Sequence, residues 1–249
     1  MTLLQTWELT RRFGGLAAVN RVSLSIEQGE VRSIIGPNGA GKTTLFNLIT
    51  GALVPTTGMI MFKGCDITGL ASPAVFRLGI VRSFQISQVF PRLTVRENVA
   101  LMAWGRVRSS GSPVARPRAT RDEVDRRVDA VLDQVHLAEC AGQLAGTLAH
   151  GDRRLLEIAM ALAADPELLL LDEPTAGMSP EETKQTALLL RRLAPALTLV
   201  IVEHDMSVVM AISDRISVLH RGELLAEGPP EQIRANAEVQ AIYLGVVGR

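Results

Sequence analysis

Apolar residues recur along this chain with two periods, two and about 3.6, and stretches of one alternate with stretches of the other. Residues 3–10 and 18–27 read as strands, with Val22, Leu24 and Ile26 on alternate positions and a turn at Gly14-Gly15 between them. Val31-Arg32-Ser33-Ile34-Ile35 is a short, mostly apolar strand candidate. Leu45, Leu48, Ile49 and Ala52 then recur at helical spacing, with Gly51 placed to stop the helix. Gly58–Phe62 and Asp66-Ile67 predict further short strands, and Ile80–Phe84 another that ends at Gln85. From Thr94 the pattern turns helical, with Val95, Val99, Leu101 and Met102 on one face.

Residues 105–121 hold five arginines among Gly, Ser and Pro without periodicity, which predicts a surface loop. Thr120 with Glu123 fits a capping box ahead of an amphipathic helix carrying Val124, Val128, Val131, Leu132 and Val135. A loop with Gly151 leads into a helix bearing Leu155, Ile158, Ala159 and Leu162, broken at Asp165-Pro166. Leu168–Leu171 and Thr198–Val202 are continuous apolar runs, as suits strands buried on both faces of a parallel sheet. A helix is expected between them from about Pro180 to Leu193, a hairpin over 215–228 around Arg221-Gly222, and two short helices at the end. Strands alternating with helices predict an α/β fold with a mainly parallel sheet and an N-terminal antiparallel β part.

In such sheets ligands bind beyond the carboxyl ends of the strands. The residues there are Gly36, Gln85, Asp172-Glu173 and His204, which are expected to face one crevice. Gly36 begins a run, Gly36, Pro37, Asn38, Gly39, Ala40, Gly41, Lys42, Thr43, Thr44, that fits G-x-x-x-x-G-K-[ST] between a strand and a helix. Glycines let successive backbone N–H groups point into one concavity, and the following helix adds its positive N-terminal end. In that setting Lys42 would reach the β- and γ-phosphates of a nucleotide and Thr43 would hold Mg²⁺. Lys42 is one of only three lysines against 23 arginines, so no lysine-rich background explains it. Asp172 ends an apolar strand, where a Mg²⁺-side aspartate belongs, and Glu173 stands where it can polarise a water for attack. Gln85 can contact Mg²⁺ or orient water, and His204 can donate to a γ-phosphate oxygen. Each of these last two, taken alone, reads as a satisfied polar group at a strand end.

Composition narrows the classes. The 249 residues allow one large domain or a core with a subdomain, and 26 basic against 26 acidic residues give no bias toward nucleic acid. Cys65 and Cys140 make no metal-like spacing and read as ordinary reduced thiols. No signal peptide, no apolar stretch of about 20 residues and no solenoid repeat is evident, so docking on a membrane protein is the expected route to a bilayer.

Taken together these motifs closely resemble the ATP-binding subunit of an ABC transporter, over nearly the whole chain. They stand in that family's order: the phosphate loop at 36–44, a glutamine loop at Gln85, a signature at Leu148-Ala149-His150-Gly151-Asp152, LLLLDEP at 168–174, Ala176–Pro180 in the dimer-loop position and His204 in the switch position. The resemblance implies that Phe13 stacks on adenine and that two subunits sandwich two ATP molecules, the signature of one facing the γ-phosphate held by the other. It implies a nucleotide-binding core at 1–92 and 166–249 and a helical signature subdomain at 93–165. The blocks RRFGGLAAVN, TLFNLITG, FQISQVFPRLTVRENV, VEHDMSVVMAISDRISVL and EGPPEQIRANAEVQAIYLG look like the branched-chain (hydrophobic) amino-acid uptake group, some members of which serve urea and short amides, so the implied cargo is branched-chain amino acids or related small amides. That likeness brings further expectations. The partners are two permease subunits, a second ATPase subunit, identical or paralogous, and indirectly an extracytoplasmic solute-binding protein; the place is the cytoplasmic face of the inner membrane. The ATPase of a lipopolysaccharide exporter is a second reading and a soluble ABC ATPase a third. The signature departs from the usual Leu-Ser-x-Gly-Gln, since Ala149 carries no hydroxyl and Asp152 adds negative charge that Arg153 and Arg154 can offset. Either the backbone N–H groups suffice there, or the composite ATP site that uses this signature is the weaker of two.

Overall fold

The computed structural model describes residues 1–83, 89–109, 121–194 and 196–244. The two N-terminal strands are longer than their apolar alternation predicts, because the hairpin at Gly14-Gly15 keeps pairing to its tip: β1 is Thr2–Phe13 and β2 is Leu16–Glu27. β3, Val31–Ile35, leads into the Gly-rich loop and α1, Lys42–Ile49. Then come β4, Thr57–Phe62; β5, Cys65–Asp66; α2, Ser72–Arg77; and β6, Ile80–Arg82. A helical run follows: α3, Val95–Ser109; α4, Arg121–Gln134; and α5, His150–Ala163. The rest alternates β7, Leu168–Asp172; α6, Pro180–Leu193; β8, Thr198–Val202; and α7, Met206–Ile212. The chain closes with β9, Arg215–His220; β10, Glu223–Gly228; α8, Pro230–Ala235; and α9, Ala237–Leu244.

Among the described residues two sheets form. One is antiparallel, in the order β2-β1-β4-β5; the other runs β10-β9-β3-β8-β7-β6, parallel except for the β9–β10 hairpin. The continuous apolar runs are explained by burial on both faces. Leu168, Leu170, Val200 and Val202 pack toward α1 and the antiparallel sheet, whereas Leu169, Leu171, Leu199 and Ile201 pack toward the helical run and α6. β3 lies at the centre with all five residues buried. At its heart Arg32 is 1% exposed, which hydropathy does not foretell. Its guanidinium meets Glu30 at 2.6 Å, Glu227 at 3.0 Å, the Ser217 hydroxyl at 2.9 Å and the Ser25 carbonyl at 2.9 Å. The group therefore ties β2 of one sheet to β3, β9 and β10 of the other.

Three local expectations are corrected. Ala52 lies past the end of α1 and is exposed, because Gly51 adopts a left-handed φ of 68° just after the helix. On α3, Leu101 is exposed while Asn98 is fully buried. The Asn98 side chain accepts from Phe90 N–H at 2.7 Å and donates to the Phe90 and Thr94 carbonyls at 3.1 and 2.9 Å, so a polar residue locks the turn that starts the helix. Residues 105–109, expected to be loop, continue α3. The remainder of that expected loop and the Thr120 half of the capping box lie outside the described residues, as does Gln85.

Candidate functional site

Beyond the carboxyl end of β3 the chain folds back on itself, with left-handed φ at Gly39 (77°) and Gly41 (103°). Gly41 admits no side chain: a Cβ there would lie 2.4 Å from the Ala18 carbonyl oxygen. Gly36 is as tight, 2.2 Å from the Leu219 carbonyl oxygen. The loop is thus wedged between the β1–β2 hairpin and β9, while Asn38, Gly39 and Thr43 remain exposed around the concavity and Ala40 is buried beneath it. Pro37 and Thr44 are half-buried at its two ends. Lys42, 7% exposed, folds over the loop and donates to the Gly36 and Pro37 carbonyls at 2.6 and 3.1 Å. Burial pushes its ammonium down from the usual lysine range, and the nearby Glu173 and Asp172 carboxylates oppose that shift.

Asp172 ends β7 and is 4% exposed. One oxygen takes Arg82 at 2.8 Å. The same guanidinium donates to Asn47 of α1 at 2.5 Å and stands 5.3 Å from the centre of the Phe46 ring. Glu173 follows with φ of 50°, a left-handed conformation that costs a non-glycine residue about 1–3 kcal/mol and is concentrated at functional sites. That turn aims its carboxylate at His204, beyond the end of the adjacent strand β8: His204 Nε2 lies 2.9 Å from Glu173 Oε1. Neighbouring parallel strands, paired Asp172 to Val202, bring the two residues together. Gly36, Lys42, Asp172, Glu173 and His204 therefore converge as the strand ends predict. The donor set suits Mg²⁺, which keeps several waters and leans on one or two protein groups plus substrate phosphates. Thr43 supplies an exposed hydroxyl and Asp172 a carboxylate, and no cluster of three acidic, His or Cys ligands exists among the described residues.

Phe13 ends β1 at the hairpin tip, 45% exposed, with the Arg11 guanidinium 4.8 Å from its ring centre. In the signature, Leu148 is buried and anchors the turn, while Ala149 and His150 are exposed. Ala149 is the N-cap of α5 and makes no side-chain cap bond. Gly151 lies against the Glu182 carboxylate on α6: a Cβ there would stand 2.2 Å from Oε1, so that side chain would have to move aside. His150 Nε2 reaches the Ala176 carbonyl at 3.1 Å. Of the two arginines expected to offset Asp152, Arg154 pairs with Glu157 at 2.9 Å; Arg153 turns back to the Gly146 and Leu148 carbonyls, each at 3.4 Å. Ala149→Ser is expected to add the missing cap and raise stability by about 0.5–2 kcal/mol, read as a higher midpoint in thermal unfolding; an unchanged midpoint would mean the α5 amides are already satisfied by water.

Sequence reasoning passed over Arg82, Thr175 and Glu203. Glu203, at the end of a buried strand beside His204, carried a signal as an acid in an apolar setting; Arg82 and Thr175 carried none.

Comparison with known proteins agrees with this geometry. Residues 19–176 match the family profile described as ABC transporter, and residues 223–248 the one described as branched-chain amino acid ATP-binding cassette transporter. The first spans the phosphate loop, the signature and Asp172-Glu173 but stops short of His204. The chain is 43% identical over 249 residues to the high-affinity branched-chain amino acid transport ATP-binding protein BraF of Pseudomonas aeruginosa, covering 98% of each. It is 44% identical over 251 residues to the LivG protein of the same description from Escherichia coli, again covering 98% of each. Among solved structures it resembles the ADP conformation of an ATP-binding cassette of an ABC transporter, with a TM-score of 0.87 and 32% identity over 99% of this chain and 100% of that one. A dimeric cassette in a post-hydrolysis state with ADP and Pi aligns with a TM-score of 0.78 and 27% identity, over 92% of this chain and 99% of that one.

Proposed function

The chain belongs to the ABC transporter ATP-binding family, and from that premise we propose that it is the ATP-hydrolysing subunit of an importer for branched-chain amino acids. One observation carries the hydrolytic reading: Glu173 and His204, 2.9 Å apart, face the phosphate loop from the ends of adjacent strands. The phosphate loop holds the ATP phosphates through its backbone N–H groups. Lys42 exchanges its own loop carbonyls for β- and γ-phosphate oxygens, and Phe13 stacks on the adenine. Glu173 takes a proton from the attacking water, and His204 steadies both that carboxylate and a γ-phosphate oxygen. Thr43 and Asp172, with Gln85 beyond the described residues, would hold Mg²⁺, which neutralises charge on the phosphates.

Residues 93–165 form the helical subdomain in this reading, and 1–92 with 166–249 the nucleotide-binding core. Ala149 offers no hydroxyl to the γ-phosphate on a second ATPase subunit, so the signature acts through the backbone N–H groups of α5. Two permease subunits anchor the pair to the cytoplasmic face of the inner membrane, and a solute-binding protein delivers cargo from the other side. No helix of the described residues is long and apolar enough to cross a membrane. Leu101, Trp104 and Leu144 give the helical part exposed apolar surface, which supports docking of a partner there. The names of the relatives favour amino-acid uptake over lipopolysaccharide export. Deleting the gene is expected to abolish high-affinity leucine, isoleucine and valine uptake, with rescue by the wild-type chain but not by Lys42→Ala. Unchanged uptake in the deletion strain would overturn the substrate assignment while leaving the ATPase assignment standing.

A further inference from the structure

Glu203 immediately precedes His204 and is only 4% exposed. Among the described residues no ion pair reaches its carboxylate. Such a group is costly to bury unless hydrogen bonds replace its water. Here they do. Oε1 accepts from the Thr175 N–H at 3.1 Å and the Thr175 hydroxyl at 2.5 Å. Oε2 accepts from the His204 N–H at 2.9 Å and more weakly from the Asp205 N–H at 3.4 Å.

The two oxygens grip two different segments. Oε2 curls the turn that presents His204. Oε1 holds Thr175, two residues beyond Glu173, within the turn closed by Ala176 N–H on the Glu173 carbonyl at 3.1 Å. Both segments leave the ends of neighbouring strands, and Glu173 N–H itself bonds the Val202 carbonyl at 2.8 Å. One buried carboxylate thus spans the gap between the segments bearing the two residues that meet at 2.9 Å. A residue serving only the core at this site would be apolar, as its neighbours Ile201 and Val202 are.

We propose that Glu203 is a positioning residue for ATP hydrolysis, fixing His204 against Glu173 by bridging Thr175 to the His204-Asp205 amides. Its carboxylate, buried behind His204, acts through that residue and not on the reacting atoms. The inference rests on the hydrolytic reading of Glu173 and His204. Its chemistry makes Glu203→Gln informative: the amide keeps the shape but turns an NH₂ donor toward backbone N–H groups, whichever way it is flipped. Thr175→Val keeps shape as well and removes the shorter of the two Thr175 bonds, that of the hydroxyl, while the backbone N–H stays.

The test measures single-turnover ATP hydrolysis by the full chain assembled with its second ATPase subunit, together with binding of a fluorescent ATP analogue and thermal unfolding. Glu203→Gln is expected to slow hydrolysis by about 10²-fold, the usual scale for a misplaced reacting group, with nucleotide affinity close to wild type. In the His204→Ala background, Glu203→Gln or Thr175→Val should add no more than about a twofold further loss, because residues acting as one unit are non-additive. A Glu203→Gln chain as fast as wild type, or losses that multiply in the double variants, would overturn the proposal. Should Glu203→Gln fail to fold, Thr175→Val in the same cycle decides it by the same criterion. Wild-type chain that does not hydrolyse ATP, or Glu173→Gln that still turns over, would instead remove the hydrolytic reading and this inference with it.

Discussion

Glu173→Gln is expected to leave ATP binding intact and to cut hydrolysis by about 10²–10⁴-fold, the span attributed to a positioned general base. The amide is isosteric and can still meet His204, so the left-handed turn at Glu173 and the contact at 2.9 Å have no steric reason to change. What disappears is the basic oxygen. In the proposed site nucleotide affinity rests on the phosphate loop, Lys42 and the hairpin tip, none of which the substitution removes. Removing one negative charge near Lys42 also removes part of what opposes the burial-driven fall in that ammonium's pKa. Measuring nucleotide affinity from pH 7 upward in both proteins is therefore an internal control for Lys42. Phosphate release under saturating ATP, alongside equilibrium binding of a fluorescent analogue, checks the main outcome. Sustained turnover in this variant would strip Glu173 of its role as base.

Arg32→Met is expected to destabilise the fold by about 3–5 kcal/mol, the cost of breaking a buried ion pair from one side. Glu30, 7% exposed, and Glu227 would lose their shared cation, and the Ser25 carbonyl and Ser217 hydroxyl a donor. Glu227 retains Arg215 at 2.8 Å, so the orphaned charge is mainly Glu30. Urea unfolding of the full chain reads the loss, and adding Glu30→Leu should recover part of it by removing the unpaired carboxylate. A change below about 1 kcal/mol would show that water reaches Glu30 in the native state.

Much of the fold was legible in order and type. The helix expected from about Pro180 to Leu193 has those limits, and the capping box formed by Ser179 and Glu182 is the local reason. Strands β3, β7 and β8 lie where short apolar runs place them, since a run buried on both faces needs no partner to be recognised as apolar. The α3 face was misjudged at Leu101 and Asn98, because spacing alone does not say that a turn eight residues upstream demands an amide in the interior. Gly151 was noticed as part of a phosphate-facing signature. Its close approach to the Glu182 side chain is a contact between two helix starts, invisible before α5 and α6 are set side by side.

The place of the phosphate loop, between β3 and α1, was legible in the sequence. Its spacing is local, and a glycine or lysine there reports directly on backbone shape and charge. Sequence also placed Asp172, Glu173 and His204 at strand ends, which is enough to expect one crevice. It did not determine how that crevice is held. The Arg82 contact to Asp172 spans 90 positions, Arg32 to Ser217 spans 185, and Thr175 to Glu203 spans 28. Each depends on which strands lie next to each other and in what register, and a one-residue slip would send every one of these side chains to the opposite face. Local period and motif therefore decided which chemistry-bearing residues this chain carries and where; only the pairing of β7 with β8 decided that Glu173, His204 and the carboxylate of Glu203 lie together, as the pairing of β3 with β9 did for Arg32 and Ser217.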